Sequence, residues 1–497
     1  MRKSVFVLGT GDCYELCQPL LERHYDILGL VDTRSERVGQ WLGAYRIHSL
    51  QELLVRDFDY LLVVSMYEAL LLPVLANAGL DISKVLTLDE CPELFAELNR
   101  RVFSPELASK LDAAYASPLV QDKTRLLFAI NSLAGGGAEK ALINLLKNLD
   151  YSRYDVTLLL FIKRGLYLEQ LPPQVHLISL FETWEEVIAG MLVCKFTAPD
   201  ELHEFCVRSS FDIEIAYLEG WAAKILAGGQ GRKLCWVHCD LQRNHWTGPC
   251  FAPAQREAAM FARFDHLIFV SEPARRGFIE RFGEPETAIS VIENFFEQDV
   301  IVEKACEPLE PFGRLTFVSV GRMVPVKGFD RLIDAHARLM AEGGDHLLVL
   351  VGEGKEREAL MAQAQRLGVG DSVILSGFQS NPYRFIARAD VFVSSSLSEG
   401  HPLVIGEALV LGVPVMATDC EGSRAILNEG AYGLLVENSV EGLMEGMRQM
   451  SNVEARNDYR NRSIRAQCAL DKRENLGRIE ALLQGQRALL ASVAHGY

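Results

Sequence analysis

Short apolar runs alternate with amphipathic segments over most of the chain. That alternation predicts parallel strands covered on both faces by helices. The runs fall into three groups: 4–8, 26–31, 60–64 and 85–88; then 125–130, 155–161, 175–180, 211–217, 234–238 and 266–270; then 315–320, 346–351, 373–376, 390–394 and 413–417. Each group opens with a strand, a turn bearing glycine and a helix: SVFVLGTGD, RLLFAINSLAGGGAEKALINLL and RLTFVSVGRMVPVKGFDRLIDAHARL. Each opening reads as the first βα unit of a separate doubly wound α/β domain. The expected division is an accessory domain at 1–115, two further domains at 116–300 and 301–475, and a C-terminal helix at 476–497. The segment 297–313, with Pro308 and Pro311, reads as a linker. The Leu- and Ala-rich tail 474–494 has a helical pattern.

Composition narrows the class. A chain of 497 residues, 49% hydrophobic and 23% charged, is that of an ordinary soluble protein of about three domains. Fifty Lys and Arg against 66 Asp and Glu give a net charge of −16, which counts against nucleic acid as a partner. The N-terminus MRKSVFVLGTGDCYE looks superficially like a signal peptide, but its apolar run is short and a glycine turn follows, so it reads as a first strand. No stretch has the 18 or so apolar residues of a membrane span. Eleven cysteines without a CxxC argue against a disulfide framework or a structural zinc, and for buried thiols in a reducing cytoplasm. The stretch Val187–Phe196 admits two readings, a peripheral membrane contact or a core helix, and the core helix is favoured.

The densest chemistry lies in SSSLSEGHPLVIGEALVLGVPVMATD, residues 394–419. It follows a buried-strand pattern and carries Glu399 and Glu407 with seven residues between them. Pro402 marks a helix start and Gly412 its stop. At 1.5 Å per residue, Pro402 to Glu407 is roughly 7–8 Å, so one ligand can reach both carboxylates while an anionic part faces the free N–H groups of Gly400, His401, Pro402, Leu403 and their neighbours. (Pro402 itself contributes no N–H.) Arg322 and Lys327 follow the third group's first strand. Two cations beside a helix start suit a diphosphate, and solvated loop charges are the competing reading. All four residues fall at strand C-terminal ends, where open parallel sheets bind ligands. Gly135, Gly136 and Gly137 form a turn that lets backbone approach a ligand. His238 ends a strand and can donate a hydrogen bond into a cleft, with a structural histidine as the alternative. Gly352, Gly354 and Gly377 mark further strand-end loops, turn glycines first and ligand contacts second. Asn294 is a hinge or cleft residue. In the first domain Gly9 and Gly11 stand in GTGDCY, which lacks the third glycine of a dinucleotide fingerprint. Asp32 lies where a ribose-binding acid would sit, and a structural role is favoured over a nucleotide.

Together GGGAEKALINLL, WVHCD, FVSE, VGRMVPVKG, VGEG, SEGHPLVIGEAL and PVMATD resemble the family-4 retaining glycosyltransferases over residues 124–475. The resemblance implies a GT-B fold: two Rossmann-like domains facing across a cleft, preceded here by a Rossmann-like accessory domain, with a tail helix crossing back. It implies a nucleoside-diphosphate sugar as co-substrate, no required cofactor or metal, and a glycan or lipid-linked acceptor. The expected setting is bacterial surface polysaccharide synthesis in the cytoplasm at the inner membrane face. It also implies that Arg322 and Lys327 grip the diphosphate, Glu407 the ribose and Glu399 the donor sugar. His238 would lie near the transferred sugar and Gly135–Gly137 near the diphosphate and acceptor. Three positions depart from the pattern: His401 stands where Phe is common, Gly406 where a larger residue is usual, and Ala425 where Glu is frequent. The competing readings are a sugar-nucleotide epimerase of the same fold, a non-catalytic sugar-nucleotide binder and, chemically, a two-carboxylate glycosidase mechanism.

Overall fold

A computed structural model describes residues 2–116, 122–252, 256–470 and 472–485. It contains three sheets. The first is built from β1 (Lys3–Leu8), β2 (Tyr25–Val31), β3 (Trp41–Leu42), β4 (Tyr45–His48), β5 (Tyr60–Val63) and β6 (Val85–Thr87), in the order β3-β4-β2-β1-β5-β6. Only the β3–β4 pair is antiparallel. The second sheet holds β7 (Thr124–Ile130), β8 (Tyr154–Ile162), β9 (His176–Phe181), β10 (Ile213–Ala216), β11 (Arg232–Val237), β12 (His266–Phe269) and β13 (Ala288–Val291), ordered β13-β12-β11-β10-β7-β8-β9. The third holds β14 (Leu315–Val320), β15 (His346–Val351), β16 (Val373–Leu375), β17 (Val391–Ser394), β18 (Val415–Thr418) and β19 (Leu434–Val436), ordered β16-β15-β14-β17-β18-β19. The second and third sheets are parallel throughout.

The central strands are the continuous apolar runs. Phe128, Val349 and Val393 are fully buried because helices cover both faces of each sheet. In every sheet the chain winds outward on one side of its first strand, then returns to the other side. The reversal lies between β1 and β5 in the first sheet, β7 and β10 in the second, and β14 and β17 in the third. Crevices open beyond the strands' carboxyl ends at such points.

One local expectation is revised. The segment read as a linker contains the helix Gln298–Ala305, which buries Ile301 and Ala305. The stretch Val187–Phe196 follows the favoured core-helix reading: it belongs to the helix Trp184–Phe196, which buries Val187, Leu192, Val193 and Lys195. That helix packs against the helices Asp12–His24 and Pro92–Val102 of the first unit. The tail forms the helix Lys472–Leu483, and residues 486–497 lie outside the described residues. This helix rests on the second sheet's unit, where Arg478 donates to the Val291 carbonyl at 2.6 Å and Ile479 and Leu482 join the core that holds Leu126 and Tyr154. Among the described residues no helix is long and apolar enough to cross a membrane.

Candidate active site

The reversal point of the third sheet brings two loops together. After β14 runs 321–328, and after β17 runs 395–402. Leu397 N–H donates to the Val326 carbonyl at 2.8 Å, and Ser395 Oγ to the Lys327 carbonyl at 2.8 Å. Gly328 makes this possible: its φ is +62°, and a Cβ there would lie 2.4 Å from the Ser395 carbonyl. The result is an ion pair, with Lys327 Nζ 2.6 Å from Glu399 Oε1, and Ser396 Oγ donates to the same oxygen at 2.6 Å. Arg322, on the same loop, is exposed, and its side chain makes no hydrogen bond or ion pair among the described residues.

The helix Leu403–Val410 starts after Pro402 and ends before Gly412, whose φ is +65°. Glu407 points inward, 6% exposed, and its Oε1 accepts from the Tyr383 hydroxyl at 3.1 Å. Burial pushes the Glu407 carboxyl up, opposed by the Lys140 charge and the Tyr383 hydrogen bond.

The carboxyl ends of the second sheet face these loops. Gly400 lies against His238: a Cβ on Gly400 would be 2.2 Å from the His238 carbonyl. Ser271 Oγ donates to the Gly400 carbonyl at 2.8 Å. Glu421, on the helix Glu421–Ile426, takes Arg243 at 2.7 Å and Arg276 at 3.1 Å from the other side. The glycine turn closes the ring: a Cβ on Gly137 would lie 4.0 Å from the Leu403 side chain. Gly136 lies against the Glu139 carboxylate, which takes backbone hydrogen bonds from Gly136 and its own N–H and faces Arg322.

His238 acts differently from its sequence expectation. Its ring hydrogen-bonds the Tyr217 carbonyl, and its buried Nε2 has no partner. Burial, with His401 adding, pushes its pKa down to about 3, so it is neutral near pH 7. Nδ1 carries the proton to Tyr217, so Nε2 holds a lone pair that can accept a hydrogen bond rather than donate one.

The other glycines serve loop packing. A Cβ on Gly352 would lie 1.9 Å from the Gly321 carbonyl, and one on Gly354 2.3 Å from that of Met323. Gly377, with φ +70°, accepts from Gly352 N–H at 2.9 Å. These contacts hold the loops after β14, β15 and β16 together behind Arg322. Asn294 sits between β13 and the helix Gln298–Ala305, and its side chain makes no hydrogen bond among the described residues.

Two departures from the family pattern share one neighbour. A Cβ on Gly406 would collide with the Phe296 ring at 2.1 Å, and the His401 ring lies 6.2 Å from that of Phe296. Phe296 thus fills the space above Gly406. It was missed because it lies far away in sequence, as were Lys140, Tyr383 and Ser271. Lys140 at least stands in the quoted glycine-turn segment.

In the first sheet, Asp32 does not present a free carboxylate. Arg34 donates to it from Nε at 3.0 Å, Nη2 at 2.7 Å and its backbone N–H at 2.9 Å, and Thr10 donates as well. Those hydrogen bonds outweigh burial and hold its pKa down to about 2. Gly9, with φ +126°, packs on the Val64 carbonyl, whereas Gly11 caps the helix Asp12–His24 with open space above it.

Comparison with known proteins agrees with this architecture. Residues 305–467 match the family model for glycosyl transferases group 1, and residues 1–86 match that for a C2185-like N-terminal domain. An N-acetylgalactosamine-N,N'-diacetylbacillosaminyl-diphospho-undecaprenol 4-alpha-N-acetylgalactosaminyltransferase of Campylobacter jejuni is 27% identical over 353 residues, 69% of this chain and 94% of that protein. The lipopolysaccharide core biosynthesis glycosyltransferase LpsE of Rhizobium meliloti is 37% identical over 164 residues, 33% of this chain and 47% of LpsE. Among solved structures, Anabaena HepE in complex with UDP and glucose superposes with a TM-score of 0.59 at 22% identity, covering 73% of this chain and all of HepE. The chain is therefore a glycosyltransferase of GT-B fold, with residues 305–467 as its group 1 glycosyl transferase domain.

Proposed function

We propose that this glycosyltransferase moves a sugar from a nucleoside-diphosphate sugar to an acceptor hydroxyl with retention of the anomeric configuration. The acceptor is a glycan or lipid-linked glycan of a bacterial surface polysaccharide, reached from the cytoplasmic face of the membrane. The observation that carries this reading is the convergence of Arg322, Lys327, Glu399 and Glu407 at one reversal point, opposite His238 and the Gly135–Gly137 turn. By their own names, the Campylobacter relative acts on a diphospho-undecaprenol-linked sugar and LpsE in lipopolysaccharide core biosynthesis, which supports this reading.

In this reading Arg322, Lys327 and the N–H groups of residues 400–404 other than Pro402 stabilise the leaving diphosphate, and Glu407 accepts from the ribose hydroxyls. Those positive groups supply the charge compensation, so the reading includes no divalent metal. The acceptor oxygen bonds to the anomeric carbon on the face from which the phosphate departs. The anomeric carbon–oxygen bond breaks, and the acceptor's proton passes to a phosphate oxygen. Glu399, already bound to Lys327 and Ser396, orients the sugar rather than forming a covalent bond. His238 Nε2 accepts from a sugar hydroxyl.

The test is donor turnover across a panel of nucleotide sugars, comparing wild type with Lys327→Ala and Glu407→Ala. Loss of a diphosphate or ribose contact made in the transition state is expected to slow turnover by about 10²–10³-fold. Near wild-type rates in both variants would remove this site from the reaction. The anomeric configuration of the product, read by NMR, tests retention. Conversion of the donor sugar without acceptor would favour the epimerase instead.

A further inference from the structure

The helix Gly137–Asn148 carries an ammonium across the interdomain boundary. Lys140 Nζ lies 5.5 Å from the centroid of the Tyr167 ring and 5.6 Å from that of Tyr383. Tyr167 belongs to the second unit, Tyr383 to the third. Lys140 has no hydrogen-bond acceptor and no ion-pair partner within 4 Å among the described residues, so two aromatic faces hold it in place. It borders, with Glu407 and Tyr383, a cavity of about 50 Å³ whose far side holds Lys147, Glu297 and Lys304. The Tyr383 hydroxyl that bonds Glu407 belongs to the ring that flanks Lys140. Cation, ring and carboxylate therefore form one chain of contacts, and its first member arrives only when the two units are together.

We propose that Lys140 is a positioning residue for the nucleotide: held between Tyr167 and Tyr383, its ammonium keeps Glu407 ionised in the closed cleft, so that the ribose site is complete only when both units meet. This rests on the reading of Glu407 as the ribose acceptor. An ionised carboxylate accepts from both ribose hydroxyls, whereas a protonated one must give up an acceptor position. Glu407 is removed from water, and the positive charge that acts on it, Lys140, comes from the opposite unit.

Several groups face Glu407 or Lys140 and bear on the pH dependence. Tyr383 and Tyr167 stay neutral across the acid range, since burial raises both. Lys147 and Lys304 lie close enough to repel the Lys140 ammonium. Glu297, whose carboxylate accepts from Asn148, is the other acid at the cavity.

The experiment measures the Kd of UDP, and of the turned-over donor's nucleoside diphosphate if that differs, between pH 4.5 and 8. It uses the full chain as wild type, Lys140→Met, Lys140→Arg and Glu407→Gln. Wild type is expected to lose affinity as acid protonates Glu407. Lys140→Met is expected to move the midpoint of that loss upward by roughly one pH unit, so that affinity falls about tenfold below wild type on the acid side and converges near pH 8. Lys140→Arg should restore the midpoint, and Glu407→Gln should remove the acid limb altogether. A uniform loss in Lys140→Met with the midpoint unmoved means packing alone and overturns the proposal. So does an unchanged profile, or an acid limb that survives Glu407→Gln and follows Glu297→Gln. If Lys140→Met does not fold, Tyr167→Leu, which removes one face of the cage, must move the midpoint in the same direction. If Glu407→Gln binds nucleotide as wild type does at every pH, the underlying site reading fails. A weakened Glu407→Gln beside an unmoved Lys140→Met sinks only the role of Lys140.

Discussion

The junction between the first and second units packs helices over a shared apolar core and contains a buried ion pair, whose removal is the sharpest stability test of the structure. Lys195 is 1% exposed and donates to Glu68 Oε2 at 2.5 Å and to the Met66 carbonyl at 2.5 Å. Lys224, equally buried, donates to the carbonyls of Cys194, Lys195 and Cys250, so the backbone that carries Lys195 is itself pinned. Lys195→Met leaves a carboxylate in an apolar junction without its countercharge and a carbonyl without its donor. Breaking a buried pair from one side costs about 3–5 kcal/mol. Adding Glu68→Met removes the stranded charge, and only the unsatisfied Met66 carbonyl remains, about 1–3 kcal/mol. The double variant is therefore expected to be more stable than Lys195→Met alone. Urea unfolding followed by the fluorescence of Trp184, whose indole N–H reaches Asp12 of the first unit, reads the junction, with pulse proteolysis as a second probe. The chain has several units, so the transition that releases the first unit is the one compared. A loss below about 1 kcal/mol in Lys195→Met, or additive losses in the double variant, would refute the buried pair as the fastening.

Two further outcomes are expected. His336 and His346 pack edge to face, 4.6 Å between centroids, with pKa values pushed by burial to about 3 and about 4. Both are neutral in either state above pH 6.5. Below it the unfolded chain takes up protons that the fold refuses, so stability falls by roughly 1.4 kcal/mol per pH unit per histidine until the folded values are reached. His346→Phe should roughly halve this pair's share of the slope in urea titrations between pH 6 and 4.5. Asp32 adds its own loss only below about pH 4, as pH falls towards its folded value of about 2. At the site, Gly406→Ala forces a Cβ against the Phe296 ring and is expected to cost about 1–3 kcal/mol, with Phe296→Leu recovering part of it in a thermal melt.

The sequence carried the central strands because buried parallel strands are unbroken apolar runs. It did not carry β3, β4, β13 or β19, which are short strands at or next to a sheet edge with partly exposed residues and no such run. The helix Gln298–Ala305 was hidden by the prolines that follow it: Pro308 and Pro311 read as a linker, while Ile301 and Ala305 already pack into the core shared with Ile405 and Ala408. At the site, residue type and place on the strand ends brought Lys327 to Glu399 and Glu407 to the cleft. At Asp32 the acid stands at the distance of a ribose-binding group, and Arg34, two residues on, occupies its carboxylate. No local pattern marks Lys140, Tyr383 or Phe296, because their partners come from other units.

Three sheets with one winding pattern thus meet three different fates at their reversal points. In the second and third sheets the carboxyl ends face each other, with Gly400 against His238 and Ser271 bound to the Gly400 carbonyl. In the first sheet the loop after β5 is taken by its neighbour. Lys195 of the second unit binds Met66 and Glu68 there, beside the turn that holds Gly9 and Gly11. A lysine from the adjoining unit and the Asp32–Arg34 pair thus take up the polar groups at this crevice. The same doubly wound architecture therefore meets a neighbouring unit's lysine at one end of the chain and another sheet's carboxyl edge at the other. The difference lies in what each reversal point faces: a buried lysine from the adjoining unit in the first sheet, the opposite sheet's carboxyl edge in the other two.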